Sequence, residues 1–192
     1  GRINGNEAKA ASSETPETLA DLVVGYDHSL ALTSAGNLYS WGLNECGQIG
    51  DGTTTNGIRP KKVVFSGKSG DDGVDFAFSG RNHSLATTSA GKVFCWGGNT
   101  SGQLGDGTTT NRLLPVDITS GFGFTDGEKV TVIAGGIYNS IALTSSGRVF
   151  TWGGNQYGEI GDGTTVRKTS PVDITSGFDL TEGETIATIS CG

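Results

Sequence analysis

One motif written three times constrains this chain more than any other feature. Residues 80–115 read G-R-N-H-S-L-A-T-T-S-A-G-K-V-F-C-W-G-G-N-T-S-G-Q-L-G-D-G-T-T-T-N-R-L-L-P, and close copies occupy 25–60 and 136–171. Trp41, Trp96 and Trp152 mark the repeat, a period of 55 to 56 residues. Self-similarity at such a period denotes a repeat array, so the fold has to be read one repeat at a time.

Each repeat reads as four short strands. Apolar runs at 19–24, 74–78 and 130–134 predict the first strand, and runs at 28–33, 83–88 and 139–144 predict the second. The triplets Ser34-Ala35-Gly36, Ser89-Ala90-Gly91 and Ser145-Ser146-Gly147 supply a tight hairpin turn whose glycine accepts positive φ. The third strand follows at 37–41, 92–96 and 148–152. Its alternation sets Tyr39 with Trp41, Phe94 with Trp96 and Phe150 with Trp152 on one face, and Leu38, Val93 or Val149 with a small residue on the other. Neither face carries a charge, which predicts a sheet covered on both sides by like sheets. A long loop then carries G-Q-I-G-D-G-T or a close variant, with Ile49, Leu104 or Ile160 as the plug that fastens it to the core. A fourth strand is expected after Pro60, Pro115 and Pro171, at 62–65, 116–118 and 172–174, since proline suits a strand with one free side. Polar spacers at 66–73, 119–128 and 175–184 fall at one place in every repeat and are expected to crowd one rim.

These readings divide the chain into an N-terminal arm (1–18) that matches nothing in the repeats, repeats at 19–73, 74–128 and 129–185, and the first strand of a fourth repeat at 186–192. The arm has a helical tendency around residues 7–11. Glycine is 33 of 192 residues against four prolines, and because the glycines recur at fixed places they argue for a turn-rich β protein and against disorder. The missing methionine, even at position 1, suggests a processed or excised chain.

The formal net charge is −7 and the 13 basic residues are scattered singly, so direct nucleic-acid binding, which needs a basic patch, is not expected. No stretch is apolar enough to insert into a membrane, and no signal peptide is visible. Cys46, Cys95 and Cys191 fall at three different repeat positions and form neither a disulfide framework nor a metal spacing, although one pair could form in an oxidising compartment.

No residue pattern implies catalysis, a metal or a cofactor. His28 and His83 share a repeat position with Asn139, which points to a structural hydrogen bond from the strand start to a backbone carbonyl in a neighbouring turn, not to chemistry. Asp51, Asp106 and Asp162 stand alone between glycines, too few oxygens for calcium, and are expected to stabilise a turn. The G-K-S at 67–69 lacks the first glycine of a phosphate loop, because position 62 is Lys62. Asn82-His83-Ser84 and Asn99-Thr100-Ser101 fit the glycosylation pattern, the first at a strand start where it is inaccessible. Repeat agreement records what the fold needs, so a binding surface is sought where the repeats disagree. Those positions are Tyr26, Asp27, Arg81 and Tyr138 beside the second strand, and Glu45, Thr100, Gln156 and Tyr157 in the loop after the tryptophan.

Four Gly-punctuated strands per repeat describe a β-propeller blade. The string G-x-x-H-S-L-A-L-T-x-x-G-x-x-x-x-W-G-x-N-x-x-G-Q-L-G-D-G-T-x-x-x-x-x-x-P resembles the repeat of the regulator of chromosome condensation family over residues 19–192. The resemblance implies a propeller, commonly of seven blades, of which three full blades and one strand are present; copies of the chain, or a longer polypeptide, would close the ring. A photoreceptor of this family implies tryptophans where this chain has Tyr26, Arg81 and Ile137, and is disfavoured. The leading expectation is a non-enzymatic scaffold with a protein partner or self-association. The alternatives are a secreted or cell-surface structural module of a bacterial repeat protein, and a nucleotide exchange factor for a small GTPase.

Overall fold

The computed structural model describes residues 17–67 and 72–192. The helical tendency at 7–11 lies outside these residues, as do most of the arm and the core of the G-K-S motif. Twelve strands form three antiparallel sheets of four, each ordered as the chain runs. Blade one holds β1 (Leu19–Val24), β2 (His28–Thr33), β3 (Leu38–Gly42) and β4 (Gly57–Lys62). Blade two holds β5 (Val74–Ser79), β6 (His83–Thr88), β7 (Val93–Gly97) and β8 (Arg112–Asp117). Blade three holds β9 (Val130–Gly135), β10 (Asn139–Thr144), β11 (Val149–Gly153) and β12 (Lys168–Asp173). This is an all-β partial propeller.

The hairpin between second and third strands has the register that the Ser-Ala-Gly turn dictates: Leu30 faces Ser40 and Leu32 faces Leu38, with Gly36 at φ 71. Antiparallel topology then puts the first turn (25–27) and the long loop (43–56) of a blade at one end, the loop face. The hairpin tips and the spacers fall at the other, the hairpin face.

Two apolar cores lie between blades. Leu30, Leu32, Leu38 and Val63 of blade one meet Val74, Ala77, Ala86, Phe94 and Trp96 of blade two. Leu85, Val93, Cys95, Leu104 and Ile118 of blade two meet Ile133, Ala142, Phe150 and Trp152 of blade three. β7 and β11 are accordingly buried at every residue. β3 is not: Tyr39 and Trp41 are only half-buried, because no described blade precedes the first, so the expectation of two covered faces fails there.

The fourth strands begin four or five residues earlier than expected, and Pro60, Pro115 and Pro171 lie inside them. The proline is tolerated because each strand is the outer edge of its sheet and its ladder is shifted there: Ser40 pairs with Lys61 but Gly42 with Gly57, so the residues between bulge away from β3. Residues 186–192 form no strand, since no second strand lies beside them among the described residues.

The spacers hold apolar groups that their polar composition hides. Phe122, 1% exposed, stands edge-on to Phe150 and Trp152 at centroid distances of 5.1 and 5.5 Å. Phe65 does the same to Phe94 and Trp96 at 5.0 and 5.8 Å. Phe178 holds the position of Phe122 in the third repeat and is 39% exposed. Phe122→Ala should therefore lower unfolding stability by about 3–5 kcal/mol through cavity creation, and Phe178→Ala by well under about 1 kcal/mol, as for a surface site. Urea denaturation of the two variants checks this, and equal losses would show that the spacer phenylalanines do not close the joints.

Candidate protein-docking face

Each long loop is a self-sufficient polar structure built around one buried asparagine. Asn44 accepts the N–H of Ile49 at 2.9 Å and donates through Nδ2 to the carbonyls of Thr53 and Thr55, both at 3.0 Å. Asn99 and Asn155 repeat these contacts with Leu104 and Ile160. The amide of Asn99 is thus wholly committed and buried, which takes the second glycosylation pattern out of reach.

Asp51 Oδ1 accepts from the N–H and hydroxyl of Thr53 at 3.0 and 2.7 Å, while Oδ2 meets Lys61 Nζ at 2.5 Å. Burial works against the Asp51 carboxylate, but the hydrogen bonds from Lys61 and Thr53 prevail and hold its pKa at about 2. Asp106 with Arg112 and Asp162 with Lys168 form analogous pairs, with the cation at the strand position that Gly57 holds in blade one, and sequence reading did not anticipate them. The plugs Ile49, Leu104 and Ile160 are buried, and their carbonyls accept from Ser40, Cys95 and Thr151 respectively. Cys95 is therefore one of three interchangeable small donors, and burial pushes its thiol pKa well up. All three cysteines are free thiols.

Blades are locked at the loop face by tryptophan. Trp96 Nε1 donates to the carbonyl of Gln48 in the preceding loop at 2.9 Å, and Trp152 to that of Gln103 at 2.8 Å. Each indole lies on a glycine: a Cβ at Gly50 would come within 2.7 Å of Trp96 Nε1, and one at Gly105 within 2.8 Å of Trp152 Nε1. Both glycines also have positive φ, so the seat admits no other residue without strain.

The histidines reinforce the lock through hydroxyls, not the backbone carbonyls anticipated for them. His28 Nε2 lies 2.9 Å from Ser84 Oγ and 2.8 Å from Ser79 Oγ, and His83 Nε2 lies 3.0 Å from Ser140 Oγ. Ser84 and Ser140 give their protons to the carbonyls of Gln48 and Gln103, so the imidazole Nε2 carries the ring proton. Nδ1 of both rings is buried without a hydrogen-bond partner. These Ser–His pairs are sealed inside the joints and their hydroxyl protons are spent, so no substrate can reach them.

Desolvation depresses the pKa of His28 to about 4 and that of His83 to about 3 from an ordinary 6.5. The unfolded chain binds these protons near pH 6.5 and the folded chain does not, so the stability they contribute is fully present above pH 6.5 and falls as pH drops toward 4. The slope should reach about 1.4 kcal/mol per pH unit per histidine. In urea titrations between pH 7 and 4.5, H28N/H83N should show a much flatter decline; an unchanged slope would mean that the imidazoles are not held neutral.

On the hairpin face an acid clamps each hairpin, exposed in blade one and buried in the other two. Glu128 pairs with Arg148 at 2.5 Å and accepts from Thr144 and Ser146; these bonds, Arg148 foremost, hold its carboxyl far below the usual range against the cost of burial. Asp72 accepts from Ser89 and the N–H of Ala90, and Glu17 accepts from Asn37. Glu17, Asp72 and Glu128 share the spacing of the three tryptophans, so Glu17, read with the arm, falls at a repeat position.

All eight residues sought as a binding surface lie on turns or loops of the loop face, and all are exposed. The structure brings them into two groups. Tyr26 and Arg81 line a recess near the inner strands with Ile137, Cys191 and Gly192, and the Arg81 guanidinium stands 5.1 Å from the Tyr26 ring centre. Thr100, Tyr138, Gln156 and Tyr157 line a groove between blades two and three, with Ser101 and Glu159. Tyr157 is 84% exposed and Arg167 ties the groove wall by donating to the carbonyl of Thr100 at 3.1 Å. Asp27 and Glu45 line neither. Ile137, Glu159 and Arg167 were missed, though all three differ from their counterparts in the other repeats. Among the described residues no group of His, Cys, Asp and Glu could hold a metal, and no helix is long and apolar enough to cross a membrane.

Three four-stranded blades locked by tryptophan and carrying variable loops at one end define a β-propeller segment. The chain belongs to the regulator of chromosome condensation (RCC1) repeat family, whose sequence model matches residues 35–87, 90–143 and 146–192, with a related repeat model matching 20–48, 74–103 and 130–159. The first set of boundaries is out of phase with the blades: residues 35–87 take in β3 and β4 of blade one with β5 and most of β6 of blade two, so that match spans a joint. The chain is 35% identical to the human E3 ubiquitin-protein ligase HERC2 over 173 residues, 88% of this chain and 3% of that protein. It is 35% identical to the ultraviolet-B receptor UVR8 of Arabidopsis thaliana over 146 residues, 76% of this chain and 31% of the receptor. Among solved structures, human WBSCR16 superimposes with TM-score 0.76 at 27% identity, covering 91% of this chain and 42% of that one. Prp20p of Saccharomyces cerevisiae superimposes with TM-score 0.75 at 22% identity over the same shares, a likeness of fold. The chain thus spans under a third of these two sequence relatives and under half of these two structures.

Proposed function

We propose that this chain is a non-catalytic protein-docking segment of a β-propeller, and that its partner binds the loop face. The observation that carries this reading is the division of labour within each repeat. The shared Asn, Asp and plug side chains of each loop are buried or consumed by internal hydrogen bonds, whereas the eight variable side chains named above are exposed at one end of that frame. Tyrosine and arginine, which anchor interfaces at small entropic cost, account for four of the eight. The sealing of both Ser–His pairs supports the absence of catalysis. Yeast Prp20p, a protein of this fold whose binding to Gsp1p and histones and whose complex with Kap60 have been described, supports the reading.

Tyr138→Ala with Tyr157→Ala should weaken a loop-face partner by 30-fold or more, the loss of about 2 kcal/mol that a hot-spot pair supplies. Circular dichroism and melting temperature should stay unchanged, because both side chains are exposed. Titration of a captured partner against wild type and variant checks this. Equal affinity would place docking elsewhere, and acceleration of nucleotide release from a small GTPase would replace docking by exchange as the activity.

A further inference from the structure

The recess near the inner strands holds an uncommitted charge. Arg81 is the one charged side chain among the residues that line it, and its guanidinium makes no ion pair or hydrogen bond among the described residues. The two arginines at the end of the long loops differ in this: Arg112 pairs with Asp106 at 2.6 Å, and Arg167 donates to the carbonyl of Thr100 at 3.1 Å.

The place of Arg81 is nevertheless fixed. Its backbone N–H donates across the joint to the carbonyl of Gly136 at 3.1 Å, and its guanidinium stands over the Tyr26 ring, 5.1 Å from the centre. Stacking covers one face of the guanidinium and leaves the N–H groups around its edge free, the arrangement that grips a carboxylate at two points. The rest of the recess is apolar side chain or backbone. Val24, Phe78 and Ile137 wall a volume of about 340 Å³, and the glycines at 80, 135 and 136 that also line it are buried.

The surroundings select among anions. Asp27, next to Tyr26, and Glu45, in the long loop of blade one, are exposed on the same face but line no part of the recess. A polyanion laid across the loop face would meet both, on a chain whose net charge is already −7. A single carboxylate set among apolar groups avoids them and matches both the charge and the walls.

We propose that the recess takes one acidic side chain, Asp or Glu, from an extended segment of a partner protein. Arg81 grips the carboxylate while stacked on Tyr26, and apolar neighbours of that residue lie against Val24, Phe78 and Ile137. This rests on the loop face being the docking face.

Random peptides displayed on phage and selected against the full chain test it. The selected peptides should share a single Asp or Glu flanked by apolar residues. In titrations of one such synthetic peptide, Arg81→Ala should weaken binding about 10-fold or more. A peptide with Gln or Asn in place of the acid should lose as much against wild type, yet bind the variant as well as the acidic peptide does. Arg81→Glu should prefer the peptide that carries Lys at that position, a reversal that a merely structural role for Arg81 would not produce. Circular dichroism of both variants should match wild type, because the side chain is exposed and the backbone bond survives substitution. Peptides that share no acid, and that lose affinity in Tyr138→Ala/Tyr157→Ala but not in Arg81→Ala, would overturn the recess assignment and leave loop-face docking intact. Enrichment of basic or multiply acidic peptides would overturn it as well, and failure to enrich any peptide would count against both.

Discussion

Everything in this structure depends on an indole resting on a glycine. A four-stranded blade exposes two faces and cannot bury either by itself, so stability has to come from stacking. The tryptophan supplies the largest apolar group of each third strand, and at both internal joints its N–H is satisfied by a carbonyl of the preceding loop, which removes the cost of burying a polar atom. The glycine is required twice over, because its φ is positive and because a Cβ would occupy the place of the ring. The plug residue, the asparagine and the Asp–Thr turn all serve to present that glycine and carbonyl in one geometry.

That geometry leaves little freedom for the polar residues of the loop. Asn99 makes five bonds from one amide, and Asp106 joins Thr108 to Arg112. Such committed groups offer nothing to a partner, yet they hold the loop backbone rigid. The exposed side chains at 26–27, 81, 137–138 and 156–157 therefore project from a fixed frame, which lowers the ordering cost of binding. Rigidity in the shared positions and variation at the tips are two aspects of one arrangement.

The parts legible in the sequence were those with local causes. The second strands, bounded by His or Asn and by Thr before a Ser-x-Gly turn, begin and end where their pattern predicts. The fourth strands did not, because a proline usually read as a boundary sits in a bulge on an edge, a fact about sheet order that no short window contains. Phe122 was hidden in a spacer of Gly, Ser and Thr, without periodicity to mark it as core. Glu17, Asp72 and Glu128 escaped notice because Asp and Glu alternate there, although their spacing follows the tryptophans. The acceptors of His28 and Trp96 lie in other repeats, so only the stacked blades could show them. The variable positions were found correctly as exposed, but their division between a recess and a groove is a property of the joints.

The joints are not chemically equal. At the first two a buried imidazole bridges to a serine of the next blade, with Nδ1 bare and protonation disfavoured by burial. At the third, Asn139 takes the histidine position and meets Cys191 Sγ at 3.4 Å. An amide offers donor and acceptor without a titratable proton, and a thiol is a weaker partner than a hydroxyl. The third joint therefore gains no resistance or sensitivity from pH and is held by softer contacts. The two internal joints are thus chemically alike, and the contact of residues 186–192 with blade three is of another kind.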